Sequence, residues 1–195
     1  MFNDRYGLTD AVIDYIKNNT RRIEGGEQFQ RAATSAEDFT YEEATGCIVM
    51  CCQGIEIFRH KCRYKVGEVV AVAQSYYHAF SPRCDIPVYG ADRTPGWRNK
   101  LFVRADLMPH QICITGIKSE RLQSISHDDA MREGIYMDGG DDSYMPHYFY
   151  DYPNNPSEGF DTPREAFAAL VDKVYGRGTW DRNPWVVVYE FELVK

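Results

Sequence analysis

Apolar residues at Val12, Tyr15 and Ile16 fall at i, i+3 and i+4, which predicts a helix from Thr9 to Asn18. Thr9 is its expected cap and Asp10 favours its first turn. Residues 24–46 are polar, carry Gly25-Gly26 and the acidic pairs Glu37-Asp38 and Glu42-Glu43, and predict an irregular or partly helical connection. Two apolar runs, Ile48 to Cys52 and Ile55 to Arg59, flank Gln53-Gly54 and predict a hairpin. The β-branched run Val69 to Ala73 predicts a buried strand. From Ser75 to Pro109 the pattern weakens, and Ile112 to Ile117 alternates again. A short helix is expected at Ser126, with Asp129 in a variant of the capping box. The clearest helix runs from Pro163 to Tyr175: Thr162 caps it, Pro163 opens it, Glu165 completes the box and Gly176 stops it. A closing strand from Trp185 to Val194 sets Val188, Glu190 and Glu192 against Tyr189, Phe191 and Leu193. These elements predict a single α+β domain over 1–195, built on a small, mostly antiparallel sheet or barrel with flanking helices.

The segment 138–162 stands apart. It holds six acidic residues and six aromatics with no Lys or Arg, so a long acidic, Tyr-rich loop is expected there. Its rings could stack on bases or cover the core. Composition narrows the partners: 22 basic against 29 acidic residues give a net charge of −7, which excludes coating of extended duplex DNA. No apolar run is long enough to span a membrane, and Met1 to Tyr15 lacks the pattern of a signal peptide. A cytoplasmic protein is expected. The six cysteines show no CxxC spacing, the five histidines show no ligand spacing, and buried reduced thiols are the expectation. A metal set of His60, Cys62, His78 and Cys84 is the weak alternative; no metal and no cofactor is predicted.

Three stretches, in order along the chain, resemble the ASCH domain family of the PUA-like superfamily. The first is Phe2 to Leu8 continuing to Lys17-Asn18-Asn19-Thr20-Arg21-Arg22-Ile23, similar to the family's opening helix and Gly-x-Lys-Thr-x-Thr-Arg-Arg signature. The second is Arg63-Tyr64-Lys65-Val66-Gly67-Glu68-Val69-Val70. The third runs from Glu120 through Leu122, Ile125, Ala130, Glu133 and Gly134 to Ile135. The ending Trp180 to Trp185 into Tyr189-Glu190-Phe191 resembles phage- or prophage-type members. Tyr15 and Ile16 stand where the signature has Gly and a basic residue, and Asn18 replaces its first Thr. Gly permits backbone angles that Tyr resists.

The resemblance implies a small PUA-like β-barrel that recognises a nucleoside, a nucleotide or a short RNA. It also implies, as an alternative, an amidohydrolase that deacylates a nucleoside of the acetylcytidine type through Lys17, Thr20 and Glu133. In that chemistry Thr20 is the nucleophile, Lys17 the base that activates it and Glu133 the proton shuttle. The bland alternatives are a Lys complementing a helix dipole, a Thr acting as a cap and a Glu paired in solvent with Arg132 or Arg21. Arg21 and Arg22 add positive charge beside Lys17. A second basic stretch, Arg93, Arg98, Lys100 and Arg104, interleaves Trp97 and Phe102, so Trp97 and Arg98 join the expected ligand-binding set; a solvated loop is the other reading. A third class is a phage structural or interaction protein without catalysis.

Overall fold

The computed structural model describes residues 6–80, 95–138, 147–151 and 159–195. Phe2 to Arg5, Cys84, Arg93 and most of the acidic, Tyr-rich segment therefore lie outside the described residues. In chain order the elements are α1 (Leu8–Ile13), β1 (Asn19–Arg22), α2 (Gly26–Ser35), β2 (Asp38–Glu42), β3 (Cys47–Cys52), β4 (Ile55–Lys61), β5 (Val69–Ala71), α3 (Tyr76–Phe80), β6 (Gln111–Arg121), α4 (His127–Arg132), β7 (Tyr136–Asp138), β8 (His147–Phe149), α5 (Pro163–Tyr175), α6 (Thr179–Arg182) and β9 (Trp185–Leu193). The fold is α+β and every described strand pair is antiparallel.

One sheet has the order β1-β9-β6-β5, a second β2-β3-β4, and β7 pairs with β8. Strand β9 lies between β1 and β6, and its alternation divides the interior in two. Val186 and Val188 face a core with Leu122, Ile125, Ala130, Phe167, Leu170 and Val171, contributed largely by α4, α5 and the turn before them. Val187, Tyr189 and Phe191 face a second core with Phe29, Ile48, Met50, Ile112 and Ile114, contributed by α2 and the other sheet. The amphipathic alternation read for this strand thus begins only at Glu190, because residues 186–189 are buried on both faces. The run read as a buried strand at Val69 is instead an edge: Val69 is 55% exposed, and Val72 just beyond β5 is the residue that reaches the core.

The edge strands β1 and β5 are not paired with each other, and no closed barrel forms among the described residues. They nevertheless approach: Thr20 and Arg22 of β1 and Val70 and Ala71 of β5 line one narrow cavity of about 30 Å³ with Tyr189 and Phe191. A bulge in β6 between Ile114 and Gly116 increases the local twist that this curl needs. Gly116 fits there because a Cβ would lie 2.8 Å from Glu190 Oε2.

Several local signals act as expected. Thr162 Oγ1 accepts from the Glu165 amide and Glu165 Oε2 from the Thr162 amide, closing the capping box of α5. Ser126 Oγ accepts from the Asp129 amide at the start of α4. Gln53 and Gly54 both take positive φ (51° and 75°), as a tight hairpin turn with the right twist demands. Residues 24–46 are more ordered than their polarity suggests. Helix α2 buries only Phe29 and Ala33, too few apolar positions to stand out in the sequence.

The first helix is shorter than its periodicity predicts. It ends at Ile13, after which Tyr15 takes a left-handed φ of 61° and the amides of Ile16 and Lys17 both bond to the Ala11 carbonyl. Asn18 then bonds to the Arg132 carbonyl and Asn19 enters β1. Left-handed backbone costs a non-glycine residue roughly 1–2 kcal/mol, and the Tyr15 ring is 75% exposed. Tyr15→Gly is therefore expected to raise stability by about 0.5–1 kcal/mol in urea denaturation, after the entropy that Gly loses on folding. A destabilised variant would show that the ring packs in a way its exposure does not reveal.

Candidate active site

The early end of α1 delivers Lys17 to the last turn of α4, where it forms an isolated antiparallel bridge with Glu133. Lys17 Nζ donates to Glu133 Oε2 at 2.6 Å and to the Glu133 carbonyl at 2.7 Å. Arg21 follows on the β1 face that looks toward α4 and α5. Its Nη1 donates to Glu133 Oε1 (3.1 Å), its Nε to Glu120 Oε1 (2.9 Å) and its Nη2 to Asp129 Oδ2 (3.4 Å). Lys17, Arg21 and Glu133 are all buried, at 2%, 4% and 3% exposure.

Burial of a charge costs several kcal/mol per ion, recovered only where partners are close and well placed. The two cations respond differently. Burial pushes the Lys17 amine below its ordinary value, more than Glu133 can restore, with Arg22 and Arg21 adding to the shift. Burial also works against the Arg21 charge, but Glu133 and Glu120 outweigh it and hold the guanidinium above its usual range. The cluster thus holds one permanent cation and one amine whose neutral form lies within easier reach.

These groups form one end of a cavity of about 380 Å³. Phe167, Leu170, Val171 and Val174 of α5 form an apolar wall, extended by Leu8, Leu122 and Val186. Thr20, Arg22, Lys100 and Tyr175 also line it. Tyr175 Oη donates to the Arg21 carbonyl at 3.1 Å, capping the outer edge of β1. Burial raises the affinity of this phenol for its proton.

Of the residues that the sequence singles out, Lys17 and Glu133 meet directly. Thr20 lines the same cavity, but strand alternation turns its side chain to the other face of β1, opposite Tyr189. Its hydroxyl has no hydrogen-bond partner among the described residues. Arg21 is a buried hub rather than an open ligand contact, and Arg22 lines the cavity from the Thr20 face. Trp97 and Arg98 do not line it: Trp97 packs edge-to-face on Tyr77 (6.3 Å between centroids) and Arg98 is exposed. The reading of Glu133 as a solvent partner of Arg132 is overturned, because Glu133 is buried against Lys17 and Arg21. The helix-dipole reading of Lys17 fails with it, since α1 ends four residues earlier, at Ile13.

Sequence reasoning missed Glu120, Asp129 and Tyr175 and read the α5 stripe only as core. The capping-box pattern at Ser126 was the one signal near Asp129; nothing marked Tyr175. The weak metal set does not assemble among the described residues: His60 faces Glu24 (3.5 Å), His78 faces Asp10 (3.0 Å), and burial pushes the Cys62 thiol up to about 12. Cys47, Cys51, Cys52, Cys62 and Cys113 are free thiols, with Cys47 and Cys62 buried. Among the described residues no helix is long and apolar enough to cross a membrane.

No protein-family model, curated protein or solved structure matches the chain.

Proposed function

We propose that this chain is a PUA-like ASCH domain that binds a nucleoside, a nucleotide or one nucleotide of a short RNA in the 380 Å³ cavity. The observation that carries the proposal is that the buried Lys17–Glu133–Arg21 array lines one cavity together with the apolar residues Phe167, Leu170, Val171 and Val174 of α5. A ligand pocket is characteristically apolar with a few convergent polar groups and perturbed ionisable residues. A nucleobase matches that division, with apolar faces for the α5 wall and a hydrogen-bonding edge for Glu133 and Lys17, which Arg21 holds in place. The curl that brings β1 toward β5 supports a barrel-like scaffold. The net charge of −7 favours a short ligand over an extended polyanion.

A second reading, deacylation of an acylated nucleoside, is supported by the lowered affinity of Lys17 for its proton beside a carboxylate 2.6 Å away. In that reaction neutral Lys17 takes the proton of the attacking Thr20 hydroxyl and passes it across the 2.6 Å contact to Glu133; the hydroxyl oxygen bonds to the acyl carbon, the C–N bond breaks, and Glu133 gives that proton to the departing amine. Water then releases the acyl group as its carboxylic acid and restores the Thr20 hydroxyl. The cavity requires Thr20 to turn toward Lys17 for this step.

Calorimetry and chromatography on a panel of plain and acylated nucleosides, with wild type and Lys17→Met, test both readings. Binding without turnover, weakened at least about tenfold in Lys17→Met, supports the recognition domain. Turnover that falls by about a thousandfold in Thr20→Val supports the hydrolase with a Thr nucleophile, and unchanged turnover in Thr20→Val removes Thr20 from that role. A wild type that neither binds nor converts any member overturns both.

A further inference from the structure

A second, smaller cavity of about 130 Å³ is lined by Thr9, Asp10, Gln74, Ser75 and His78. Its volume far exceeds the roughly 10–15 Å³ that a single water needs. Gln74 is its most unusual lining residue: it is 4% exposed, and its amide oxygen has no hydrogen-bond partner among the described residues. A buried amide left in that state costs about 1–3 kcal/mol, which a ligand hydroxyl would recover. Asp10 stands beside it, with Oδ1 3.0 Å from His78 Nε2, leaving Oδ2 to accept from another donor. Ser75 Oγ accepts from the His78 amide, and Thr9 Oγ1 accepts from Lys100 Nζ at 3.2 Å.

This lining has a definite chemical preference. One carboxylate disfavours an anion, and the polar half of the lining, hydroxyls, an imidazole and an amide, rewards a group that hydrogen-bonds while the remainder takes carbon, as a sugar ring presents. Hydroxyl groups, which donate and accept at once, match an amide, a carboxylate and two hydroxyls best. The two cavities also share a boundary: Lys100 lines the large one, Thr9 lines the small one, and their hydrogen bond joins the two walls.

We infer that the cavity of Asp10, Gln74 and His78 is a second subsite that takes the ribose of a neighbouring nucleotide and reads its 2′ hydroxyl, so that the chain distinguishes RNA from DNA. The inference rests on the nucleotide reading of the large cavity and adds a sugar specificity to it. The 2′ hydroxyl donates in a bond shared between Asp10 Oδ2 and the Gln74 amide oxygen, so that both are needed, and Lys100 lies between the base site and the ribose site.

The test measures affinities of random-sequence ribodinucleotides, the matching deoxyribodinucleotides and single nucleosides for wild type, Asp10→Asn and Gln74→Leu, with melting temperatures as the control for folding. In wild type the ribodinucleotides are expected to bind about tenfold more tightly than the deoxy forms, the discrimination of one hydrogen bond to a charged or buried group. In both variants that ratio falls toward one. Gln74→Leu is expected to melt no lower than wild type, since it removes an unsatisfied amide oxygen; if it does not fold, Asp10→Asn, at a residue whose side chain is 34% exposed, carries the test. Equal affinity for the two sugars in wild type, or an unchanged ratio in Asp10→Asn, overturns the subsite while nucleoside binding keeps the large cavity in place. No binding of any nucleoside or dinucleotide overturns the nucleotide reading, and the subsite with it.

Discussion

Glu133→Ala is expected to cost about 3–5 kcal/mol of folding stability, because it removes the carboxylate paired with buried Lys17 and one of three carboxylates from Arg21 in a water-poor interior. Lys17→Met should cost less. Glu133 keeps Arg21 as partner in that variant, and the Met chain fills the volume of the Lys stem. The double variant Lys17→Met, Glu133→Leu is expected to recover much of the loss of Glu133→Ala, since replacing both members of a buried pair by apolar groups is often near neutral. Arg21 retains Glu120 and Asp129 in all of them. Urea denaturation of the three variants measures this order. A double variant as unstable as Glu133→Ala would place the cost in packing or in the Glu133 backbone contacts rather than in unpaired charge. The same double variant is expected to have lost ligand binding while still folding, which separates the role of the pair in the site from its role in stability.

Val174→Trp is expected to abolish nucleoside binding, by about a hundredfold or more, with stability changed by less than about 1 kcal/mol. Val174 lines the large cavity from α5 yet is 36% exposed, so the larger ring extends over open space rather than into close-packed core. Calorimetry with the nucleoside that wild type binds best, paired with urea denaturation, provides the measurement. Unchanged affinity would mean that the ligand does not occupy this cavity, whatever the chemistry at Glu133. A collapse of stability would mean that the residue packs more tightly than its exposure implies.

How far the sequence carried depends on how local each determinant is. Helix α5 was legible from end to end because Thr162, Pro163, Glu165 and Gly176 act within a turn of themselves. The β3–β4 hairpin was legible for the same reason. The end of α1 was not, because Tyr15 adopts the backbone of a glycine without being one, and periodicity alone ran the helix on to Asn18. In the site, Lys17 and Glu133 came from a family resemblance and from no property of their neighbours. Their contact spans 116 positions of chain. Arg21 was visible as a charge, but its partners lie 99 and 112 residues away; the register of β1, β9 and β6 brings Glu120 to it, and the bridge between Lys17 and the end of α4 brings Glu133. Gln74 gave no signal at all. A glutamine in a weak-patterned stretch reads as surface, and only the fold reveals that its amide is buried.

The position of β9 between β1 and β6 also fixes when this molecule can form. Residue 20 waits for residue 189, and residue 114 for residue 191, before any strand of the larger sheet except β5–β6 has a neighbour. Both interiors are completed by the same run of Val186 to Phe191. A chain leaving the ribosome therefore carries its two half-cores incomplete, and β1 without the strand that joins it to β6, until residues 185–193 emerge. Closure over such long chain separations is slow. The arrival of β9 completes both cores and the pocket together, and until then the part of this domain that has emerged exposes apolar surface to chaperones.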